Sequence, residues 1–315
     1  MAFKHGVYIQ ELASAISFSV NSDLGVLVAV GTSPIHEAEE PTSIVLLNSG
    51  SEAVKYLGYS EDWDNYTLSE AIYSHFTLYN LKPMVAINVF DPAVHKTTIN
   101  ATKSVALNST FELPTEYRSG TLQITSTELV YPENPSTPVG SDQEESEEPE
   151  EESEPEEVIH TLTAGVDYTL IDNEVKIISI SNIYDSMIDV TYVVADPSKV
   201  TKNDIIAGLE KCGEIYTRFG LYPSIIISPK WSEDSEVIAI MRAQCQNNLF
   251  KSIALVDIPA NVPYNGVSSA KTTMNISDSY VIACYPKIGL GDRVYHLSTQ
   301  LASLMLQTDM NKIGR

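Results

Sequence analysis

The stretch Gly25-Val-Leu-Val-Ala-Val-Gly31-Thr-Ser-Pro34 decides the fold. Its apolar centre, bounded by glycine at both ends, predicts a strand covered on both faces, as in parallel sheets flanked by helices. Similar runs occur at residues 43–47 (SIVLL) and 83–90 (PMVAINVF), and strands are predicted again at 224–228, 252–258 and 280–285. Helical signals lie between them. Ser49-Gly-Ser-Glu52 and Thr67-Leu-Ser-Glu70 have the spacing of capping boxes. The second leads into Ala71, Ile72, His75, Phe76 and Tyr79, the rhythm of one helix face. Thr201-x-x-Asp204 opens a helix whose apolar face is Ile205, Ile206, Leu209, Cys212, Tyr216 and Phe219, closed by Gly220. Further helices are predicted over 234–247 and through Leu297, Leu301, Leu304 and Met305. Strands alternating with helices predict an α/β sandwich.

In the middle of the chain the rhythm changes. Residues 103–113, 121–131, 168–170, 175–180 and 188–194 have the look of short strands, and Asp172-Asn173 is a turn signal. Between them, 132–157 begins Pro-Glu-Asn-Pro and continues in Ser, Glu and Pro with no aromatic residue. Such a sequence cannot bury enough apolar surface to offset its chain entropy, so it reads as a solvated loop, with an acidic docking tail as the functional alternative. The predicted organisation is an N-terminal arm and hinge over 1–23 and a discontinuous α/β domain over 24–98 plus 196–315. The α/β domain is interrupted by a β-rich insert over 99–195 that carries the acidic loop.

The chain has 315 residues, 19 basic and 42 acidic, for a formal net charge of −23. Eleven of the acids lie between Asp142 and Glu157; without them the balance is 31 acidic to 19 basic. That composition argues against coating nucleic acid, which requires clustered Lys and Arg, and offers no polybasic patch to anionic lipid. At 43% hydrophobic the chain can bury a substantial core. The N-terminus lacks the apolar stretch of a secretory signal, and no apolar run approaches the roughly 20 residues of a membrane span. Cys212, Cys245 and Cys284 are widely separated and form no CxxC, as expected of buried thiols in a reducing compartment. A soluble protein made in the cytosol is the expectation.

Signals for chemistry are sparse. No GxxxxGK[ST] phosphate loop and no GxSxG nucleophile elbow occurs. Gly289-Leu-Gly291-Asp-Arg-Val lacks the third glycine of a dinucleotide fingerprint and reads as a turn. The histidines (His5, His36, His75, His95, His160 and His296) show no metal-ligand spacing, and His75 and His296 read as partly buried helix residues. Asp91-Pro92, Asp196-Pro197 and Asp257 end or follow predicted strands, where α/β enzymes hold carboxylates, but Asp-Pro is also ordinary turn chemistry. The reading is a protein without catalytic residues, cofactor or metal. Its rival is an α/β enzyme acting on a small polar metabolite, with Asp91, Asp196 or Asp257 at the mouth of the sheet.

The N-terminal arm is more informative. Residues 3–12 contain Phe3, Val7, Tyr8, Ile9 and Leu12, and favour a strand. Such a strand can cover its own sheet edge or extend a neighbour's, and the residues alone leave both open.

A family resemblance is carried by several segments in order. Gly6-Val-Tyr-Ile-Gln-Glu11 and residues 25–34 resemble the start of a contractile phage tail sheath protein. Ala164-Gly-Val-Asp-Tyr168 and Tyr192-Val-Val-Ala-Asp-Pro-Ser-Lys-Val-Thr201 resemble the edges of that family's inserted domain. Residues 218–232 (RFGLYPSIIISPKWS), Ala254-Leu-Val-Asp-Ile258 and Cys284-Tyr-Pro-Lys287 follow in matching order. The family includes the sheaths of R-type bacteriocins and related contractile injection systems. The resemblance implies a structural subunit that stacks in hexameric rings around a tail tube, meets baseplate and tail terminator proteins, and contracts. It makes Phe3, Val7, Tyr8, Ile9 and Leu12 the inter-subunit arm, and places the chain in the bacterial cytoplasm during assembly and in the tail afterwards. Members continue past the helix at 297–306 into a C-terminal domain that receives neighbours' arms. A chain ending at Arg315 is therefore expected to be a fragment, monomeric on its own.

Overall fold

The computed structural model describes residues 25–131, 155–247 and 252–313. The expected arm, with Phe3, Val7, Tyr8, Ile9 and Leu12, and most of the acidic loop lie outside the described residues. In chain order the strands are β1 (Val26–Gly31), β2 (Ile44–Leu47), β3 (Met84–Asn88), β4 (Lys96–Ser104), β5 (Thr110–Glu112), β6 (Gln123–Val130), β7 (Glu156–Thr161), β8 (Tyr168–Ile171), β9 (Glu174–Ile177), β10 (Met187–Ala195), β11 (Pro223–Ile227), β12 (Ile253–Asp257), β13 (Val281–Cys284), β14 (Ile288–Leu290) and β15 (Arg293–Tyr295). The α-helices are α1 (Gly50–Leu57), α2 (Thr67–Ile72), α3 (Lys202–Glu210), α4 (Ile215–Phe219), α5 (Ser235–Asn247), α6 (Val267–Thr273) and α7 (Leu297–Ile313). A π-helical segment, Tyr73–Leu78, continues α2. Internal contacts divide the chain into unit 1, which ends at Asp91 and resumes at Val200, and unit 2, Pro92–Lys199.

Unit 1 is built on a six-stranded sheet of order β13-β12-β11-β1-β3-β2, parallel except for β2 at one edge. Alternate residues face opposite layers. Val26, Val28, Val30, Val85, Ile87, Ile226 and Val256 pack with side chains of α3, α4 and α5. Leu27, Ala29, Met84, Ala86, Ile225, Ile227 and Leu255 pack with those of α1, α2 and α7. Both faces being covered is why β1 has no polar position. Gly208 lets α3 lie close on the sheet: a Cβ there would stand 2.4 Å from Val89 Cγ1 and 2.9 Å from Val30 Cγ1. Because both faces are apolar, side-chain alternation does little to fix strand register. Polar groups at strand ends supply it. Ser228 Oγ donates to the Val30 carbonyl at 2.9 Å, and Ser252 Oγ to the Pro223 carbonyl at 2.6 Å.

Several local expectations change. The helix expected from Thr201 through Phe219 is interrupted by a 3-10 turn at Lys211–Glu214, and the left-handed Gly220 closes α4. The Thr201 cap forms, with Asp204 Oδ2 accepting from both the N–H and the hydroxyl of Thr201 at 2.7 Å. Residues 289–294, read as a plain turn, belong to the β14–β15 hairpin around Gly291.

The two sheets of unit 2, β4-β10-β6-β7 and β5-β9-β8, are antiparallel. The two sheets share a core of Val105, Leu113, Ile124, Leu162, Tyr168, Val175, Ile177, Ile188 and Val190. The expected insert start at 99 cuts through β4, whose pairing with β10 extends to Lys96↔Ala195. The expected loop 132–157 is also too long, because Glu156 pairs with Val130 and Glu157 with Leu129. Replacing 133–154 with a short Gly/Ser linker should change the unfolding free energy by less than about 1 kcal/mol. Extending the deletion to 157 removes those two rungs and should cost about 1–2 kcal/mol more. Calorimetry of both variants checks this; equal midpoints, or a large loss on the shorter deletion, would contradict it.

Candidate functional site

In an open parallel sheet, ligands favour the crevice beyond the carboxyl ends of the strands, where the strand order reverses. Here that point lies between β1 and β11, since β1 is flanked by β3 and by the later β11. Side chains of α2 and β3 bind the chain that leaves β1. The Thr32 N–H donates to Thr67 Oγ1 at 3.3 Å, and the Ser33 N–H to Asn88 Oδ1 at 2.9 Å. Thr32 Oγ1 donates to the Asn65 carbonyl at 2.6 Å. At Gly31 a Cβ would come within 2.3 Å of Thr67 Oγ1, so helix α2 sits directly on the strand end. The amides of Thr32 and Ser33, which a phosphate loop would turn to its ligand, are thus engaged internally.

Beside this plug lies a buried acid–base network. Glu70 on α2 accepts from the His296 N–H through Oε1 at 2.7 Å, and its Oε2 meets His296 Nδ1 at 2.6 Å. Thr299 Oγ1 donates to Glu70 Oε1 at 2.8 Å. Asp257, at the end of β12, accepts the Ser298 N–H at 3.0 Å and the Ser298 hydroxyl. Glu70, Asp257, His296, Ser298 and Thr299 are all buried. Every one of these bonds meets the start of α7. The free N–H groups of a helix N-terminus attract negative charge, and here carboxylates from α2 and β12 satisfy them. Further along, Gln300 Nε2 donates to Ser74 Oγ at 3.0 Å. Burial alone would lower the His296 pKa, but the Glu70 hydrogen bond and charge, joined by Asp257, raise it. Burial raises the Asp257 carboxyl against the opposing pull of His296 and Ser298.

An open cleft of about 330 Å³ adjoins the network, lined in part by Trp63, Asp64, Glu70, Lys287, Arg293 and His296. The Arg293 guanidinium lies over the rings of Trp63 and Tyr73, at 4.9 and 4.6 Å, and pairs with Glu61 at 2.6 Å. The carboxylates near it are largely engaged: Glu61 by Arg293, Asp62 by Asn65, and Glu70 by His296 and Thr299.

The enzyme reading placed Asp91, Asp196 or Asp257 at the mouth of the sheet. Asp91 is exposed after β3. Asp196 belongs to unit 2, where Thr97 Oγ1 and the Ser198 N–H donate to it at 2.5 and 3.0 Å. Burial opposes its ionisation, yet the Ser198 and Thr97 hydrogen bonds hold its carboxyl below the ordinary range. Asp257 ends β12 at the sheet's carboxyl edge, and it caps α7. His75, read as partly buried on an ordinary helix, is fully buried in the π segment, and burial pushes its pKa down to about 4. The three cysteines are buried and free, their thiols pushed up to about 12 by burial. Thr67-Leu-Ser-Glu70 has the spacing of a capping box, but the box does not form, because the Glu70 carboxylate turns to His296 instead. The available signal was a charged residue among Leu68, Ala71 and Ile72 on an apolar helix face.

Removing one partner of a buried ion pair leaves the other uncompensated, so Glu70→Ala should cost about 3–5 kcal/mol in urea unfolding. Since His296 is raised, the pair's contribution is full below the ordinary histidine range and is lost as pH rises through the folded value. Glu70→Ala should lose that alkaline dependence; an unchanged profile would contradict the assignment. His75 works in the opposite sense. Between pH 4 and about 6.5 the unfolded chain holds the extra proton, so acidification destabilises the fold, by about 3 kcal/mol across that window. His75→Leu should flatten this part of the pH profile, and an equally steep acid loss in the variant would refute it.

No protein-family model matches the chain. A sequence comparison finds the tail sheath protein of Burkholderia phage BcepMu, 24% identical over 311 aligned residues that include 91% of this chain. The chain spans 57% of that relative's length. This similarity supports a relationship between the chain and the tail sheath proteins of phages.

Proposed function

We propose that the chain is a subunit of a contractile tail sheath, polymerising around a tail tube and shortening to drive the tube through a target envelope. The observation that carries this reading is the similarity to a phage tail sheath protein across nine-tenths of the chain. The geometry is compatible with it. A sheath subunit needs a stiff block with two alternative sets of neighbours rather than an active site. Unit 1 provides a sheet covered on both faces and a final helix bound to it by buried carboxylates. The enzyme reading put Asp91, Asp196 or Asp257 at the mouth of the sheet; Asp257, which ends β12, is engaged by the N–H and hydroxyl of Ser298.

In this proposal the subunits form stacked hexameric rings and contact tube, baseplate and terminator proteins, with the assembled protein residing in a phage or bacteriocin-like tail. Residues 3–12 link neighbours by adding a strand, and unit 2 faces outward. Deleting residues 3–12 in the producing cell should yield bare tubes in electron micrographs where the parent yields sheathed tails. Normally sheathed tails from the deletion would remove the arm from the mechanism.

A further inference from the structure

We propose that the cleft beside the start of α7 binds a small zwitterion, one molecule carrying both a carboxylate and an ammonium. Its place suits a ligand. Asp257, which caps α7, ends β12, and open parallel sheets take ligands beyond the carboxyl ends of their strands. At about 330 Å³ the cleft is at the lower end of small-molecule pockets. One group in its lining lacks a partner. His296 is 5% exposed and its Nδ1 meets Glu70, while Nε2, across the ring, is buried with no hydrogen-bond partner among the described residues. A buried polar atom left in this state is costly unless a ligand or a water meets it. Burial opposes a charge on His296, but the hydrogen bond and charge of Glu70, with the charge of Asp257, raise its pKa and favour the ring protonated at both nitrogens. In that form Nε2 is a donor and requires an acceptor.

The lining charges are divided between two segments. Lys287, Arg293 and His296 come from residues 287–296, and Glu61, Asp62 and Asp64 from the chain just before α2. Arg293 pairs with Glu61, and His296 with Glu70, each at 2.6 Å. Asp62 is held by the N–H and Nδ2 of Asn65, which carry no charge to cancel its own. Lys230 Nζ donates to the Asp64 carbonyl at 2.6 Å rather than to its carboxylate. Among the described residues Lys287 has no carboxylate in ion-pair range. Glu233 feels the charges of His296 and Lys287, but burial raises its pKa against them. What remains is a cation and an unmet N–H from one segment, and two carboxylates from the other. A simple anion gains at the first and is repelled at the second, and a simple cation the reverse. A zwitterion satisfies both, with its carboxylate on His296 Nε2 and Lys287 and its ammonium on Asp62 or Asp64.

The test titrates the full chain with glycylglycine, following the His296 ring resonances by NMR. N-acetylglycine, which keeps the carboxylate alone, and glycinamide, which keeps the ammonium alone, are the comparison probes. Glycylglycine should bind saturably and shift the His296 signals, and each comparison probe should bind about 3- to 10-fold more weakly. The variants Lys287→Met and Asp64→Asn, at positions outside the core, should each weaken glycylglycine by a similar factor, with an unchanged circular dichroism spectrum confirming the fold. Absence of saturable binding, or binding that leaves His296 unmoved and both variants unaffected, overturns the site. N-acetylglycine or glycinamide binding as tightly as glycylglycine overturns the choice of a zwitterion. Because no readout involves tail assembly, the result is independent of the sheath reading.

Discussion

A parallel sheet that is apolar on both faces leaves polar side chains few places other than the strand ends, and the rest of unit 1 follows from that constraint. Val28, Ala29, Val85 and Ala86 carry no exposed surface, so the strands themselves cannot hold binding or switching groups. Hydrophobic burial drives the layers together but is indifferent to small slips. Directional bonds at the carboxyl edge decide between otherwise similar packings. Thr32, Ser33, Thr67 and Asn88 close the crevice beside β1, while Glu70 and Asp257 hold the start of α7. A buried ion pair is a modest net source of stability because desolvation offsets the attraction. Its consequence here is positional: α7 has one well-bonded place on the sheet.

This division also explains what sequence reading could reach. The continuous apolar runs of β1, β3, β11 and β12 report burial on both faces, and they locate the sheet without tertiary information. Glu70 shows the limit. The pattern Thr67-x-x-Glu70 is a local one, whereas the partner that captures the carboxylate, His296, is 226 residues away. His75 follows the helical rhythm correctly, but spacing cannot reveal a π segment or burial deep enough to keep an imidazole neutral. In unit 2, β4 and β7 escaped because their exposed faces are polar. Lys96-Thr-Thr-Ile-Asn-Ala-Thr-Lys-Ser104 alternates between exposed and half-buried positions, and the first residues of β7 share the composition of the acidic run before it. Composition therefore overextended the loop, and only strand pairing places its end.

In the proposed sheath role, function does not depend on a concave site. The deepest polar arrangement is used internally, and the similarity to a tail sheath protein directs attention to surfaces and termini instead. Unit 1 concentrates its bonding strength where α7 begins. Unit 2 is a small body of two antiparallel sheets around one shared core.

The most direct measurement is a cryo-electron microscopy map of tails from cells that produce this protein, at a resolution that separates strands. The account predicts density for the six-stranded sheet of unit 1, with α7 seated on its edge, repeated helically in an outer layer around a central tube. Tails whose outer layer cannot accommodate that sheet, or in which this chain is found in the tube or not at all, would contradict it.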